Sequence, residues 1–327
     1  MRNLRLEIAR VSSPLREAFA ISRGAKISAE TVRVRLFDGK HAGRGEGVAY
    51  GRYGETVESV VAAIESLRGQ IEAGISLGEL QSALPAGAAR CAIDCALWDL
   101  EAKRTGQRVW QLAGLPAPRP VETAVTISLA EAGAMAMAAG SAPGTLLKLK
   151  LGGPQDMDRI QAVHLARPDA RLIVDANEGL SPQAFPGLLL AAVKLGVILI
   201  EQPFPAGKDS ALVKQPGPVA VCADESAHTS ADIQSLARTY DAVNVKLDKA
   251  GGFTEALAMV RAARQSGMGV VVGCMVASSL SMAPALLLAG LADMADLDGP
   301  LWLETDIENG LTYINGNLAP ASPDLWG

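Results

Sequence analysis

The sequence predicts an α/β fold in two parts: a TIM-type barrel of eight parallel strands joined by helices, preceded by a small α+β domain. Three observations carry that expectation. Five short apolar runs, at residues 146–150, 172–175, 198–201, 219–224 and 243–246, end on Lys150, Asp175, Glu201, Asp224 and Lys246. The steps between those ends are 25, 26, 23 and 22 residues, about what one strand, one helix and two short connections consume. Further apolar runs at 123–129, 269–275 and 295–298 bring the strands to eight. Before Pro120 the strands come first and the helices second, the order of a separate α+β unit. A doubly wound sheet would also alternate strands and helices, but it would not gather all five strand ends in one pocket.

In chain order, residues 4–9 and 31–37 alternate apolar and polar side chains as half-buried antiparallel strands do, and 43–50 reads as a third. Gly43, Gly45 and Gly47 superficially suggest a phosphate-binding loop. No helix opens after them and no parallel unit surrounds them, so a strand and turn is the better reading. Residues 57–67 and 88–103 carry apolar side chains at helical spacing, and within the barrel 157–166, 229–238 and 254–266 are helix-like segments between strands. Residues 305–327, punctuated by Gly and Pro, lie outside the strand count and are expected to pack back on the first domain. The expected division is an α+β domain over 1–120, a barrel over 121–304 and a returning segment over 305–327.

With 327 residues, 49% apolar and 20% charged, the chain can bury a large core. A net charge of -5 without Lys/Arg blocks argues against a nucleic-acid partner, which needs clustered cations. Residues 1–24 scatter Arg2, Arg5, Arg10, Arg16 and Arg23 among apolar residues, leaving no run of signal-peptide length, and a cytoplasmic location is expected. The uncharged stretch 265–292 is long enough for a membrane span. Its β-branched run Val270-Val271-Val272, followed by Gly273, three serines and Pro284, fits a buried strand and helix better, so no membrane partner is expected. Cys91 and Cys95 share a helix face, and Cys222 and Cys274 fall in strand-like runs, which suggests buried free thiols rather than disulfides. Homo-oligomerisation is compatible with this composition.

Three carboxylates at one rim, without clustered His or Cys, form a hard oxygen donor set that suits Mg²⁺ or Mn²⁺ rather than zinc. His41, His164 and His228 show no ligand spacing. Taken singly, each carboxylate would be a helix cap after a strand. Together they would repel one another, so a divalent cation at Asp175, Glu201 and Asp224 is expected. Lys150 and Lys246 end strands two and six, opposite each other with the acidic cluster between. A metal gripping a carboxylate acidifies the neighbouring C–H by stabilising the enediolate left when the proton departs. Two opposed amines can then work on opposite faces of one carbon, the geometry of a racemase or epimerase. Lys148 and Lys150, two apart on one strand, point the same way and disfavour each other's protonation. Asp248, two residues after Lys246, is expected to lie beside it and favour its charged form. The expectation is therefore a neutral Lys150 as base and an ammonium Lys246 as acid.

The runs Lys148-Leu149-Lys150, Asp175-Ala176-Asn177, Ile200-Glu201-Gln202-Pro203, Ala223-Asp224-Glu225-Ser226 and Asn244-Val245-Lys246-Leu247-Asp248-Lys249-Ala250-Gly251-Gly252 resemble the muconate-lactonizing subgroup of the enolase superfamily, over nearly the whole chain. The resemblance implies a (β/α)7β barrel capped by the α+β domain, and Mg²⁺ as cofactor. Within the subgroup, Asp296-Leu297-Asp298 is similar to the aspartate pair by which dipeptide epimerases hold a dipeptide's ammonium group; a spacing of two puts both carboxylates on one side. Ile21-Ser22-Arg23-Gly24 resembles the mobile capping loop whose arginine reads a glutamate side chain, and Arg52-Tyr53-Gly54-Glu55 a second capping loop. The implied substrate is a dipeptide, L-Ala-D/L-Glu first. Its terminal carboxylate would bind the metal with support from Lys148, Lys150 and Lys246 would exchange the proton, and Arg23 would take the side-chain carboxylate. A role in recycling cell-wall peptides is also implied. Thr126, Asn177 and Met275, near the ends of strands one, three and seven, are pocket positions, with ordinary packing the plainer reading of Met275.

Rival activities meet the same residues. An o-succinylbenzoate synthase, a cycloisomerase or an N-acylamino acid racemase shares the lysines and metal site, but none needs to hold an ammonium group. A Schiff-base lyase using Lys246 would not require three carboxylates. A catalytically silent metal-binding barrel would not need both lysines. Leu180, where many relatives carry an aromatic residue, and Tyr50-Gly51, in place of a proline-containing stretch, depart from the family pattern at the side-chain pocket.

Overall fold

The computed structural model describes residues 3–214 and 217–327. Strands β1 (Arg5–Ile21) and β2 (Gly24–Phe37) form a long antiparallel hairpin, with β3 (Ala42–Val48) on the other edge of β2. The hairpin runs much further than the alternation at 4–9 and 31–37 suggested. Residues 9–14 of β1 bury no side chain, so that stretch of ribbon carries no two-residue apolar pattern. The register shifts between Pro14 and Phe19, the kind of irregularity that re-aims a strand.

Helices α1 (Val57–Ser66), α2 (Arg68–Glu72), α3 (Leu77–Ala83), α4 (Ala88–Thr105) and α5 (Val109–Leu112) follow. Thr56 accepts from Ser59 N and closes a capping box at the start of α1. One side of α4 (Ala92, Ile93, Ala96, Leu100) packs with Val32, Val34 and Leu36 of β2, while Cys91 and Cys95 enter a core shared with the barrel. All four cysteines are free thiols. The three glycines of β3 lie against the α4 backbone. A Cβ on Gly43, Gly45 or Gly47 would stand 2.1, 2.1 or 2.2 Å from the carbonyl oxygens of Ala96, Ala92 and Ala88. Four helical residues rise about 6 Å and two strand residues nearly 7 Å, so the glycine and alanine repeats keep step.

After β4 (Val121–Glu122) come eight parallel strands in sequence order: β5 (Val125–Ile127), β6 (Leu146–Lys150), β7 (Arg171–Asp175), β8 (Val197–Glu201), β9 (Ala220–Ala223), β10 (Ala242–Val245), β11 (Gly269–Gly273) and β12 (Met294–Asp296). A parallel bridge between Thr123 and Ala295 brings β12 beside the start of β5 and closes the ring. The crossovers carry α6 (Ala132–Ser141), α7 (Asp156–Ala166), α8 (Phe185–Ala192), α9 (Ile233–Leu236), α10 (Leu247–Ala250), α11 (Phe253–Gln265) and α12 (Ser279–Ala289). Two crossovers depart from expectation. The helix expected over 229–238 shrinks to a 3-10 turn, Ser230–Asp232, and the four residues of α9, and among the described residues the link from β8 to β9 has no helix.

Strand parity decides what faces inward. Ala124, Leu146, Ile173, Leu199, Cys222, Ala242 and Val271 meet as one apolar layer inside the barrel. Two residues further along their strands, on the same parity, lie Lys148, Asp175, Glu201, Asp224 and Asn244, and two further again Lys150 and Lys246. The opposite parity, including Leu147, Leu149, Leu172, Val174 and Ile200, packs outward on the helices. The stretch 265–292 forms β11 and the largely buried α12, and among the described residues no helix is long and apolar enough to cross a membrane. Beyond residue 304, β13 (Tyr313–Ile314) and β14 (Asn317–Leu318) form a hairpin whose second strand pairs with β4. The last residues dock on α4, where Trp326 Nε1 donates to Cys95 O at 3.0 Å and Gly327 N to Asp99 Oδ1 at 2.8 Å.

Candidate active site

The carboxyl ends of the strands open into a cavity of ≈ 380 Å³, roofed by the β1–β2 tip and residues 50–53. Barrels of this kind present functional side chains at that face. In the ring order β6 and β10 are four strands apart of eight, hence diametrically opposed, and β7, β8 and β9 with the three carboxylates lie between them. Lys148, Lys150, Asp224, Lys246, Asp296, Asp298, Arg23, Thr126, Asn177 and Met275 all line the cavity, while Asp175 and Glu201 lie fully buried beneath it.

The charges interlock. Lys148 Nζ lies 3.2 Å from Asp175 Oδ2, 2.8 Å from Glu201 Oε2 and 2.7 Å from Asp296 Oδ2. Lys150 Nζ donates to Asp175 Oδ2 at 2.6 Å, and Lys246 Nζ to Asp224 Oδ2 at 2.8 Å. Burial alone would lower the Lys148 ammonium, but Asp296, Glu201 and Asp175 hold it well above the ordinary lysine range. Burial likewise opposes the Lys246 charge, and Asp224 and Glu201 override it. Asp175, despite burial, is held below the usual carboxylate range by Lys150 and Lys148, and Asp224 by Lys246 and Lys249. Glu201 goes the other way, pushed up to about 8 by burial and the charge of Asp175.

The expected contrast between two lysines takes a different form. Asp248 does not serve Lys246; its Oδ1 accepts from Val48 N at 2.8 Å and ties β3 to the barrel. Asp224 is the partner of Lys246, and Lys150 is ion-paired in the same fashion with Asp175. A two-residue offset put Asp248 past the strand end and into α10, where strand parity no longer governs direction. Lys148 and Lys150 do reach one side, meeting at the same oxygen of Asp175, but the carboxylates around Lys148 outweigh its neighbour's repulsion.

Burial pushes the Asp248 carboxyl up to about 7, against 3.8 for an ordinary aspartate. The folded state binds the extra proton between those values, so this group's stability contribution is full below pH 3.8, falls through the window and levels off above 7. Asp248→Asn keeps an acceptor for Val48 N and removes the titration. Its Tm should match wild type near pH 4 and exceed it progressively up to pH 7, as thermal melts across that range will read. A pH-independent difference would contradict the assignment.

The three acidic side chains are neutralised one by one by ammonium groups, and among the described residues no three His, Cys, Asp or Glu side chains stand as a ready-made metal cage. The donor set nevertheless suits a hard cation. Glu201 Oε2 is buried and accepts no hydrogen bond, since Lys148 approaches it without hydrogen-bond geometry, and burial together with the charge of Asp175 raises Glu201 toward its neutral form despite that ammonium. A divalent ion relieves both.

Around this centre, Asn244, Lys249 and Gln202 were not singled out by sequence as site residues, and they brace those that were. Asn244 Nδ2 donates to Glu201 Oε1 at 3.0 Å, and Gly273 leaves it room, since a Cβ there would stand 2.5 Å from Asn244 Oδ1. Its parity with Lys246 was the available signal. Lys249 Nζ bonds Asp224 Oδ1 at 2.6 Å from the first turn after β10. Gln202 Oε1 accepts from Asp224 N at 2.8 Å and Ser226 N at 3.1 Å. Asn177, Glu178 and Gln202 have φ of 43, 68 and 33 degrees, strained backbone concentrated at the rim of β7 and β8. Asp298 Oδ2 accepts from Thr126 N at 2.7 Å, and burial and Asp296 push its carboxyl up to about 6. Asp296 Oδ1 has no hydrogen-bond partner. Arg23 reaches Glu225 Oε1 at 2.8 Å, Asn177 O at 2.8 Å and Glu178 Oε2 at 3.2 Å, and Arg52 binds Glu178 through both carboxylate oxygens.

This architecture and its charged rim define an enolase-type barrel enzyme. Residues 129–323 match the family described as enolase C-terminal domain-like, and residues 4–114 the mandelate racemase / muconate lactonizing enzyme N-terminal domain. The chain belongs to that family, and it is an isomerase of the racemase and epimerase kind. It is 43% identical over 308 residues to an L-Ala-D/L-Glu epimerase from Escherichia coli (93% of this chain, 96% of the relative). It is 40% identical to an N-acetyl-D-glutamate racemase from Pseudoalteromonas (90% and 94%). A crystal structure of an enolase family member from Agrobacterium tumefaciens with homology to dipeptide epimerases, with bound sodium and L-Ala-L-Glu, superposes with a TM-score of 0.96 at 46% identity (99% and 100%). Dipeptide epimerase structures complexed with Mg and a dipeptide, at 26 to 30% identity, give TM-scores of 0.89 to 0.91.

Proposed function

We propose that the protein is a Mg²⁺-dependent epimerase inverting the α-carbon of the C-terminal residue of a dipeptide, with L-Ala-D/L-Glu as its first substrate. The observation that carries this reading is the opposition of Lys150 and Lys246 across the barrel, with the acidic strands between. Asp175, Glu201 and Asp224 would hold the Mg²⁺, which when bound supplies positive charge to the substrate's terminal carboxylate and makes the adjacent α-hydrogen acidic. Lys148, a buried ammonium, adds a fixed charge beside that carboxylate. Whichever of Lys150 and Lys246 is deprotonated takes the α-proton, and the other, as ammonium, delivers one to the opposite face. Turnover leaves the two with exchanged protonation states, so the same pair serves both directions. Asp296, with its free Oδ1, and Asp298 offer negative charge for the substrate's ammonium group. Thr126 holds Asp298 in place, and Arg23, Asn177 and Met275 shape the end where the side chain lies. The same reading assigns 1–120 to the cap, 121–304 to the catalytic barrel and 305–327 to the returning segment, and places the enzyme in cytoplasmic recycling of cell-wall peptides.

The similarity to an N-acetyl-D-glutamate racemase supports a second reading, an N-acylamino acid racemase. An acylated nitrogen is neutral, and it would bring no positive charge to Asp298 or to the unpartnered Oδ1 of Asp296, leaving Lys148 alone to balance the pair, a costly arrangement. The deciding experiment is α-proton exchange in D₂O with Mg²⁺, comparing L-Ala-L-Glu with N-acetyl-L-glutamate. The expected result is at least about tenfold preference for the dipeptide, most of it lost in Asp296→Asn. Preference for the acetyl compound would establish the second reading. EDTA is expected to abolish exchange and added Mg²⁺ to restore it; exchange that persists in EDTA would rule out the metal.

A further inference from the structure

We propose that Lys26 supplies the unpaired positive charge that selects an acidic side chain on the substrate's C-terminal residue. This inference rests on the dipeptide-epimerase reading and deepens it.

Strand register places the residue. After the shift that follows Pro14, Phe19 of β1 pairs directly with Lys26 of β2, so their side chains share a face, and both line the cavity. The hairpin tip is fixed to the barrel: Ala20 N donates to Ser128 Oγ at 2.9 Å, Leu129 N to Ala20 O at 3.1 Å, and Ser22 and Arg23 bond Asn177 O. Lys26 Nζ and Lys150 Nζ each lie 5.9 Å from the centroid of the Phe19 ring, so the proton-exchanging amine and Lys26 border one aromatic wall.

The cavity's other cations are already matched. Lys148, Lys150 and Lys246 pair with the barrel carboxylates, Arg23 with Glu225 and Glu178, and Arg52 with Glu178. Among the described residues Lys26 Nζ forms no ion pair or hydrogen bond; it faces the rings of Phe19 and Tyr50, the latter at 6.0 Å, the outer limit of a cation–π contact. Burial first, and then the charges of Lys150 and Lys246, holds its ammonium below the ordinary lysine range, and with no carboxylate paired to it among the described residues a protonated Lys26 is surplus positive charge at this wall. A side-chain carboxylate would balance that surplus, and a cationic side chain would add to it. Arg23 is a weaker reader of the same group because binding there must compete with its acidic partners.

The test compares wild type, Lys26→Met and Lys26→Arg with Mg²⁺ on L-Ala-L-Glu and the uncharged L-Ala-L-Met, by α-proton exchange in D₂O. Lys26→Met should lose roughly ten- to hundredfold in kcat/KM for L-Ala-L-Glu, the scale of one charge-assisted hydrogen bond, carried mainly by KM. L-Ala-L-Met should be turned over as well or better, and Lys26→Arg should recover most of the loss. Equal losses on both substrates, or an unchanged preference for glutamate, would overturn the assignment. A wild-type enzyme that exchanges neither dipeptide would overturn the epimerase reading itself.

Discussion

Lys150→Met and Lys246→Met are each expected to lower epimerisation by on the order of 10³-fold, the scale of a positioned acid or base, and to do so with opposite stereochemical signatures. Each amine approaches from its own side of the barrel, since β6 and β10 are four positions apart in an eight-stranded ring. Removing one leaves the other able to take and return the α-proton of the single epimer that presents its hydrogen to that side. Each variant should therefore wash deuterium into one epimer of L-Ala-Glu without inverting it, and the two variants should choose different epimers. Methionine is the right replacement because it fills the volume of the aliphatic stem and leaves little cavity. NMR on each pure epimer reads both exchange and inversion. Loss of exchange from both epimers in both variants would mean that the lysines position the substrate rather than move its proton.

The largest expected effect on stability lies outside the site, at Gly45. A methyl group there would stand 2.1 Å from Ala92 O and 2.8 Å from Ala96 N, both backbone atoms of α4 that no rotamer change can move. Relief requires the helix to lift from β3, and α4 also contacts the barrel: Arg90 donates to the carbonyls of Ala250 and Gly251, and Asp94 accepts from Thr254 N. Gly45→Ala should therefore cost ~3 kcal/mol or more and lower Tm by about 5–10 °C. Gly69→Ala is the matched control. It lies in α2 with open space where its Cβ would go, and alanine should be neutral or slightly stabilising there. Equal melting temperatures for the two variants would show that β3 and α4 are not in the close contact described.

How far the sequence foretold this arrangement depends on the physics of each part. The barrel strands were legible because both faces are buried: one parity packs on helices, the other fills the interior, and the polar residues interrupt the apolar runs only at the rim. For the same reason Asp175, Glu201, Asp224, Lys150 and Lys246 could be placed together, because equal steps in a closed parallel sheet converge. The three glycines of β3 were legible as a strand but not as a helix contact, which depends on the matching small residues of α4 forty or more positions away. The outer hairpin was not legible, because residues 9–14 bury no side chain and a stretch with no buried positions has no reason to alternate, while Leu15 and Ala29 meet a small separate cluster with Trp302 and Leu303. Lys26 was hidden for that reason: its place in the cavity follows from pairing with Phe19 beyond a register shift. Asp248 was misplaced by extending strand parity past the end of β10.

The most direct measurement of the central claim follows L-Ala-L-Glu in D₂O with Mg²⁺ at a few per cent conversion, with proton content read separately in recovered substrate and in product. Two amines on opposite faces predict a D-glutamyl product whose α-position carries solvent deuterium from its first appearance, while the recovered L-epimer still carries mostly protium. Product that retains the substrate's own α-hydrogen would contradict the account, since one group would then be moving a single proton between both faces.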